Sequence, residues 1–240
     1  MAVEKAIQRI APPLVPIYRF FHHIYHKSYY AIVVRPKWRR MGMDVFSMHF
    51  RDNRYWGSDE SRSGEGSELK QTEVIRREFP RLLESYQVRS VLDIPCGDFN
   101  WMRTISLNIP YTGADIVDEV VQANQQKYAS GDRSFVKLNV TRDELPKVDL
   151  LLCRDCLFHF SYKDIFLALD RIKHSGSTYL LVTTNTAVSQ NRDIVTGEFR
   201  RLNLQIPPFS FPKPILLIDE KSPNPKTPDK HMGLWKIADL

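Results

Sequence analysis

Through the middle of the chain, short apolar runs alternate with amphipathic helical segments, and that alternation limits the folds open to it. Ser90–Ile94, Tyr111–Asp115, Ser134–Leu138, Val148–Cys153 and Thr178–Thr183 are predicted strands. Helices are predicted near Asp118–Tyr128 and Tyr162–Lys173. The second has Ser161 as N-cap with Asp164 three residues on, and turns Ile165, Leu169 and Ile172 inward. Before the first strand, Ile75, Phe79, Leu82 and Leu83 share one face of a further helix, which Pro80 bends or restarts. Such alternation implies an α/β fold with a doubly wound, mostly parallel sheet. The C-terminal end breaks the pattern. "PILLIDE" (Pro214–Glu220) and "MGLWKIADL" (Met232–Leu240) are joined by a connection too short for a crossover helix, so they are expected to pair antiparallel at one sheet edge.

The 240 residues suffice for one domain with a full core and some chain to spare. Hydrophobic residues at 42% and charged residues at 26% are ordinary for a soluble globular protein. Cys96, Cys153 and Cys156 form no disulfide framework, which fits a reducing, cytoplasmic location. The net charge of +6 is unevenly placed: between Lys5 and Met43 stand eight lysines or arginines and no acidic residue. The remainder is slightly acidic, so the domain itself is not expected to bind DNA.

Residues 1–54 therefore read as a basic, aromatic arm and 55–240 as the domain. The arm has no uninterrupted apolar run of the roughly 20 residues that a membrane span needs. It also lacks a signal-peptide pattern. Three readings stay open for it: a helix or extended arm packed on the domain, peripheral contact with an anionic membrane through residues 5–43, or contact with nucleic acid.

The stretch "VLDIPCGDFNW", Val91–Trp101, reads as a strand entering a ligand-holding turn. Ligands in such sheets bind beyond the carboxyl ends of the strands, where strand order reverses. Gly97 sits where the backbone would approach a ligand closely, and a helix after the turn is expected to aim its N–H groups at the site. Asp115, closing the second strand, is placed to accept both hydroxyls of a ribose. Pro95 and Phe99 stand where glycines are usual, and Phe99 would obstruct the close packing that a dinucleotide fingerprint requires.

These residues resemble the class I S-adenosylmethionine-dependent methyltransferases, in particular a bacterial small-molecule type with this first motif. The resemblance implies a seven-stranded sheet with its last strand inserted antiparallel, and S-adenosylmethionine as cofactor. It implies that Asp93, Cys96, Gly97 and Asp98 line the methionine end, that Asn139 and Val140 contact the adenine, and that Pro95, Asp115 and Ile116 also belong to the cofactor site. "DLLLCRDCLFHF" looks like the family's fourth-strand motif, with Arg154 on the cofactor side and Asp155 and His159 as candidate bases. Asp155 is equally readable as a cofactor-side or helix N-terminal carboxylate, and His159 as a residue holding the strand-to-helix turn.

The pair in "CRDC" has metal-ligand spacing, yet no fourth Cys or His accompanies it, so no metal is expected. "WGSDESRSGEGS" is either a lid over the cofactor, with Trp56 stacking on the ligand and Ser61, Ser63 or Arg62 reaching it by hydrogen bonds, or a solvated loop. The long polar segment after the fifth strand, carrying Arg192 and Arg200, suits a polyhydroxylated or carboxylated small molecule. The function expected is methyl transfer to an oxygen or nitrogen of a small molecule. The alternatives are an RNA methyltransferase guided by the arm and a non-catalytic, membrane-surface protein that binds S-adenosylmethionine. Against base N-methylation, no aromatic-proline tetrapeptide of the nucleic-acid enzymes follows the fourth strand.

Overall fold

The computed structural model describes residues 2–10, 12–52 and 58–240. They fall into two compact units that divide after Gly42. The first is helical: α1 (Ala2–Ile10), α2 (Val15–Tyr29) and α3 (Arg35–Met41), with Tyr30–Val34 a wider helical turn between the last two. That turn precedes Pro36, which has no N–H with which to continue the α-helical ladder. Arg19 pairs with Glu4 at 2.7 Å. Tyr30 and Trp38 meet edge to face, 5.8 Å between centroids.

The second unit, from Met43 onward, opens with α4 (Val45–Arg51), which the sequence had grouped with the arm. Next comes α5 (Glu73–Ser85), one helix that runs through Pro80 and buries Ile75, Phe79, Leu82 and Leu83 as its periodicity predicts. The sheet follows: β1 (Val91–Asp93), β2 (Tyr111–Asp115), α6 (Asp118–Tyr128), β3 (Arg133–Lys137), β4 (Leu150–Cys153), α7 (Tyr162–His174), β5 (Tyr179–Asn185), β6 (Leu216–Asp219) and β7 (Lys230–Lys236). Its order is β3-β2-β1-β4-β5-β7-β6, a seven-stranded sheet. β1 to β5 pair in parallel, while β7 runs antiparallel between β5 and β6. The C-terminal pair is therefore at the sheet edge, as its short connection requires. Ser161 caps α7 by accepting the Asp164 N–H at 3.2 Å.

Neighbouring strand residues point to opposite faces. Leu151, Cys153, Leu180 and Val182 meet Ile165, Ala168, Leu169 and Ile172 of α7 on one side. Leu150, Leu152, Leu181 and Met232 meet the apolar stripe of α5 on the other. One expectation fails. No α-helix lies between β1 and β2; the one helical element there is the single tight turn Met102–Thr104. The β1–β2 connection, residues 94–110, spends Phe99, Trp101 and Met102 on the core, so no N-terminal helix dipole faces the site from there.

Since Phe79 is fully buried between α5 and the sheet, Phe79→Ala is expected to cost about 3–5 kcal/mol. In urea unfolding this would lower the midpoint with the slope unchanged.

Candidate functional site

β1 lies between β2 and β4, which makes it the switch point of the sheet. Beyond the carboxyl ends of these strands opens a cleft of about 370 Å³, within the roughly 300–1,000 Å³ usual for small-molecule sites. Asp93, Pro95, Cys96, Gly97, Asp115, Ile116, Val140, Arg154, Asp155 and His159 all line it, as does Ser63.

The turn after β1 shows why proline and phenylalanine are tolerated there. Ile94 and Cys96 donate their N–H groups to Leu152 and Ala114, each at 2.8 Å, so the missing N–H of Pro95 between them leaves no acceptor waiting. Gly97 has φ +55°, and a β-carbon there would run into the Ser63 hydroxyl. Phe99 also has positive φ, +60°, and is buried among Tyr111, Tyr128 and Phe135 with ring centroids 5.1–5.4 Å away. That packing offsets the unfavourable backbone.

Two buried carboxylates face the cleft from β1 and β2. Asp115 accepts the N–H of Gly97 on one oxygen and that of Val117 on the other, both at 3.0 Å. Burial still outweighs those bonds and pushes its pKa up to about 6. Asp93 accepts the Tyr111 hydroxyl at 2.6 Å. Its pKa is pushed up to about 7, again by burial, against the opposing pull of Tyr111 and Arg154.

The exit of β4 holds four charged groups. Arg154 Nε donates to Glu220 at 2.8 Å, and its Nη1 donates to the Gly66 carbonyl at 2.8 Å and lies 3.1 Å from Asp155. Lys230 lies 3.0 Å from Asp155 and 3.1 Å from Glu220. Arg154 Nη2 is buried and has no hydrogen-bond partner among the described residues. Burial alone would raise the Asp155 pKa, but Arg154 and Lys230 outweigh it and hold the carboxyl below its usual range. Asp155 has φ +52°, and its N–H is fixed by the Thr183 hydroxyl at 2.8 Å. His159 donates from Nδ1 to the Glu198 carbonyl at 2.9 Å, and burial pushes its pKa down to about 4. It stands among Phe46, Phe158 and Phe199, an apolar wall of the cleft.

Several predicted ligand contacts turn inward instead. Asp98 accepts the Ser61 hydroxyl at 2.9 Å and the Arg62 N–H at 2.9 Å, so Asp98 and Ser61 hold each other and neither lines the cleft. Asn139 closes a local turn, its side-chain oxygen accepting the N–H and hydroxyl of Thr141 at 2.9 and 2.7 Å. Its place in the cleft wall is taken by Leu138 and Val140. Arg200 is buried against the Leu157 carbonyl at 3.0 Å, and burial lowers its pKa to about 10. Neither it nor Arg192 lines the cleft. The long segment after β5 spends its amides on itself, Asn191 on Asn203 and Pro207 and Asn203 on Val188, and sends only Phe199 to the cleft. Trp56 lies outside the described residues. Among the described residues, no group of His, Cys, Asp or Glu is placed to hold a metal ion.

The residues missed by sequence reasoning come from far along the chain: Phe46 and Phe50 of α4, Gly64 and Gly66 of the 58–67 loop, Lys226 before β7 and Lys230 at its start. The glycine spacing in "SRSGEGS" was a visible signal. Gly66 has to be bare because a β-carbon would come within 2.6 Å of an Asp155 carboxylate oxygen. Nothing local marked Lys230.

No protein-family model matches the chain, and no curated protein matches it in sequence. Solved structures do match. Human N-acetylserotonin methyltransferase, in complex with SAM, aligns with a TM-score of 0.57 at 15% identity, over 80% of this chain and 59% of that one. The N-methyltransferase NodS from Bradyrhizobium japonicum WM9 aligns with a TM-score of 0.52 at 12% identity, over 71% of this chain and 98% of that one. This chain thus spans only 59% of the human enzyme, and at such identities the likeness is one of fold.

Asp98 ties the 58–67 loop to the β1 turn. Asp98→Ala is therefore expected to speed amide hydrogen exchange across 58–67 by about tenfold or more, for the loss of 1–2 kcal/mol of anchoring. Exchange in β4 and β5 should stay unchanged.

Proposed function

We propose that this chain, whose sheet has the class I methyltransferase fold, is an S-adenosylmethionine-dependent methyltransferase acting on an oxygen or nitrogen of a small molecule. The observation that carries the reading is Asp115. It lines the cleft at the end of β2, and Gly97 and Val117 donate backbone N–H groups to its two oxygens. A carboxylate so placed is suited to accept the paired hydroxyls of a ribose.

The donor set around it fits the rest of the cofactor. Arg154 Nη2, buried at the cleft without a hydrogen-bond partner among the described residues, suits the methionine carboxylate. Asp93 and Asp115 are carboxylates whose ionisation burial disfavours, and a cationic ligand would relieve that penalty. Ile116, Leu138 and Val140 offer an apolar seat for the adenine. When bound, S-adenosylmethionine supplies a methyl group already activated by its sulfonium centre, so the protein's task is positioning.

The groups near the acceptor side agree with that division of labour. Asp155, held by Arg154 and Lys230, is a weak base suited to orienting an acceptor hydroxyl or amine. His159 is neutral near pH 7 and, with its pKa of about 4, binds a proton only weakly. Phe46, Phe158 and Phe199 give this part of the cleft an apolar wall. The protein works chiefly by proximity, and an acceptor whose proton is lost readily is favoured.

Calorimetric titration with S-adenosylmethionine and S-adenosylhomocysteine tests the reading, and no binding to the wild type would sink it. Asp115→Ala is expected to weaken both ligands by about tenfold or more, for the loss of bonds to a charged acceptor worth roughly 1.5–3 kcal/mol. Because the Asp115 pKa is raised to about 6 and ribose hydroxyls need its ionised form as acceptor, affinity should climb as pH rises from 5 to 7. Arg154→Gln should weaken S-adenosylmethionine more than methylthioadenosine, which has no carboxylate. Equal losses would reject the role given to Arg154.

A further inference from the structure

In the N-terminal unit, α2 carries Ile17, Phe20, Phe21, Ile24 and Tyr25 at the i, i+3, i+4, i+7, i+8 spacing by which a helix turns one face to a core. Among the described residues of this unit, none buries that face. The five side chains are 43–64% exposed, and Ile32, beyond the end of α2, is 74% exposed. Arg19, His22, His23 and His26 fall on the opposite side of the same helix. An apolar face left bare in this way marks an interaction surface.

Charge narrows the choice of partner. Between Lys5 and Met43 the chain carries eight lysines or arginines and no carboxylate. A second copy would bring the same net positive charge to a shared face, which opposes self-association. A single-stranded nucleic acid would need cations interleaved with stacking rings, whereas the stripe itself holds two isoleucines and no cation. An anionic lipid surface meets both demands, taking apolar side chains into its acyl boundary and cations among its phosphates. Among the described residues no helix is long and apolar enough to cross a membrane, so the contact would lie in the surface plane.

We propose that the N-terminal unit docks on an anionic lipid membrane through the Ile17–Phe20–Phe21–Ile24–Tyr25 stripe of α2, with the flanking lysines and arginines supplying the electrostatic attraction. The proposal is independent of the methyl-transfer reading.

The test is co-sedimentation of the full chain with vesicles of phosphatidylcholine alone, and of phosphatidylcholine with phosphatidylglycerol, at low and high salt. The expected result is partitioning at least about tenfold stronger to the anionic vesicles, weakened by salt. The variant Phe20→Ser, Phe21→Ser, Ile24→Ser should lose about tenfold or more of that binding. Its circular dichroism and its titration with S-adenosylmethionine should match the wild type, which separates this test from that of the cleft. No preference for anionic vesicles would overturn the proposal, as would binding that survives the triple variant. So would a wild-type dimer that the variant converts to monomer without any vesicle binding, or polyuridine bound more tightly than the vesicles.

Discussion

The buried guanidinium of Arg154 gathers the site. It touches Glu220 at the end of β6, Asp155 at the exit of β4, and the Gly66 carbonyl of the loop before α5. A buried cation is costly unless it is paired and hydrogen-bonded, so each of these segments is drawn to the same point. Lys230 closes the arrangement from β7, leaving two cations and two carboxylates around the cleft wall. The inserted antiparallel strand thus contributes directly to the site, since the register that puts Asp219 opposite His231 also sets Glu220 and Lys230 side by side.

The second constraint is the cost of the two carboxylates at the switch point. Asp93 and Asp115 titrate above their ordinary value because burial disfavours the charged form. The folded chain therefore binds more protons than the unfolded one between pH 4 and about 7. Their contribution to stability is present below the unfolded pKa and is lost as pH rises through the folded values. A chain under selection for stability alone would replace them. That both line the cleft from neighbouring strands fits a site whose stability is completed by a cationic ligand.

The elements were legible in the sequence, and the site was legible only in part. Ile75, Phe79, Leu82 and Leu83 announced α5 by spacing alone, and Ser161 announced the start of α7 by its capping chemistry. Asp93, Gly97 and Asp115 could be placed because they sit at a strand end or in the turn that follows it, where the fold class states what faces a ligand. Asp98, Asn139 and Arg200 could not, because a polar side chain serves equally well as ligand contact or as anchor, and these three are anchors. The helix expected after β1 failed for a related reason: the apolar residues of that connection were needed on the sheet rather than on a helix of their own.

By itself the sequence determined the type and order of the elements, the antiparallel edge pair and the separation of a basic arm from a near-neutral domain. Periodicity, turn chemistry and charge are local properties that each segment carries with it. Only the tertiary structure decided which polar groups face the cleft and which face one another. The deciding bonds, from Arg154 to a carboxylate 66 residues away and to a carbonyl 88 residues away, join segments that carry no local sign of each other. The folded chain also makes weak bases of both Asp155, through the cations Arg154 and Lys230, and His159, through burial, and the linear sequence places none of these surroundings beside them.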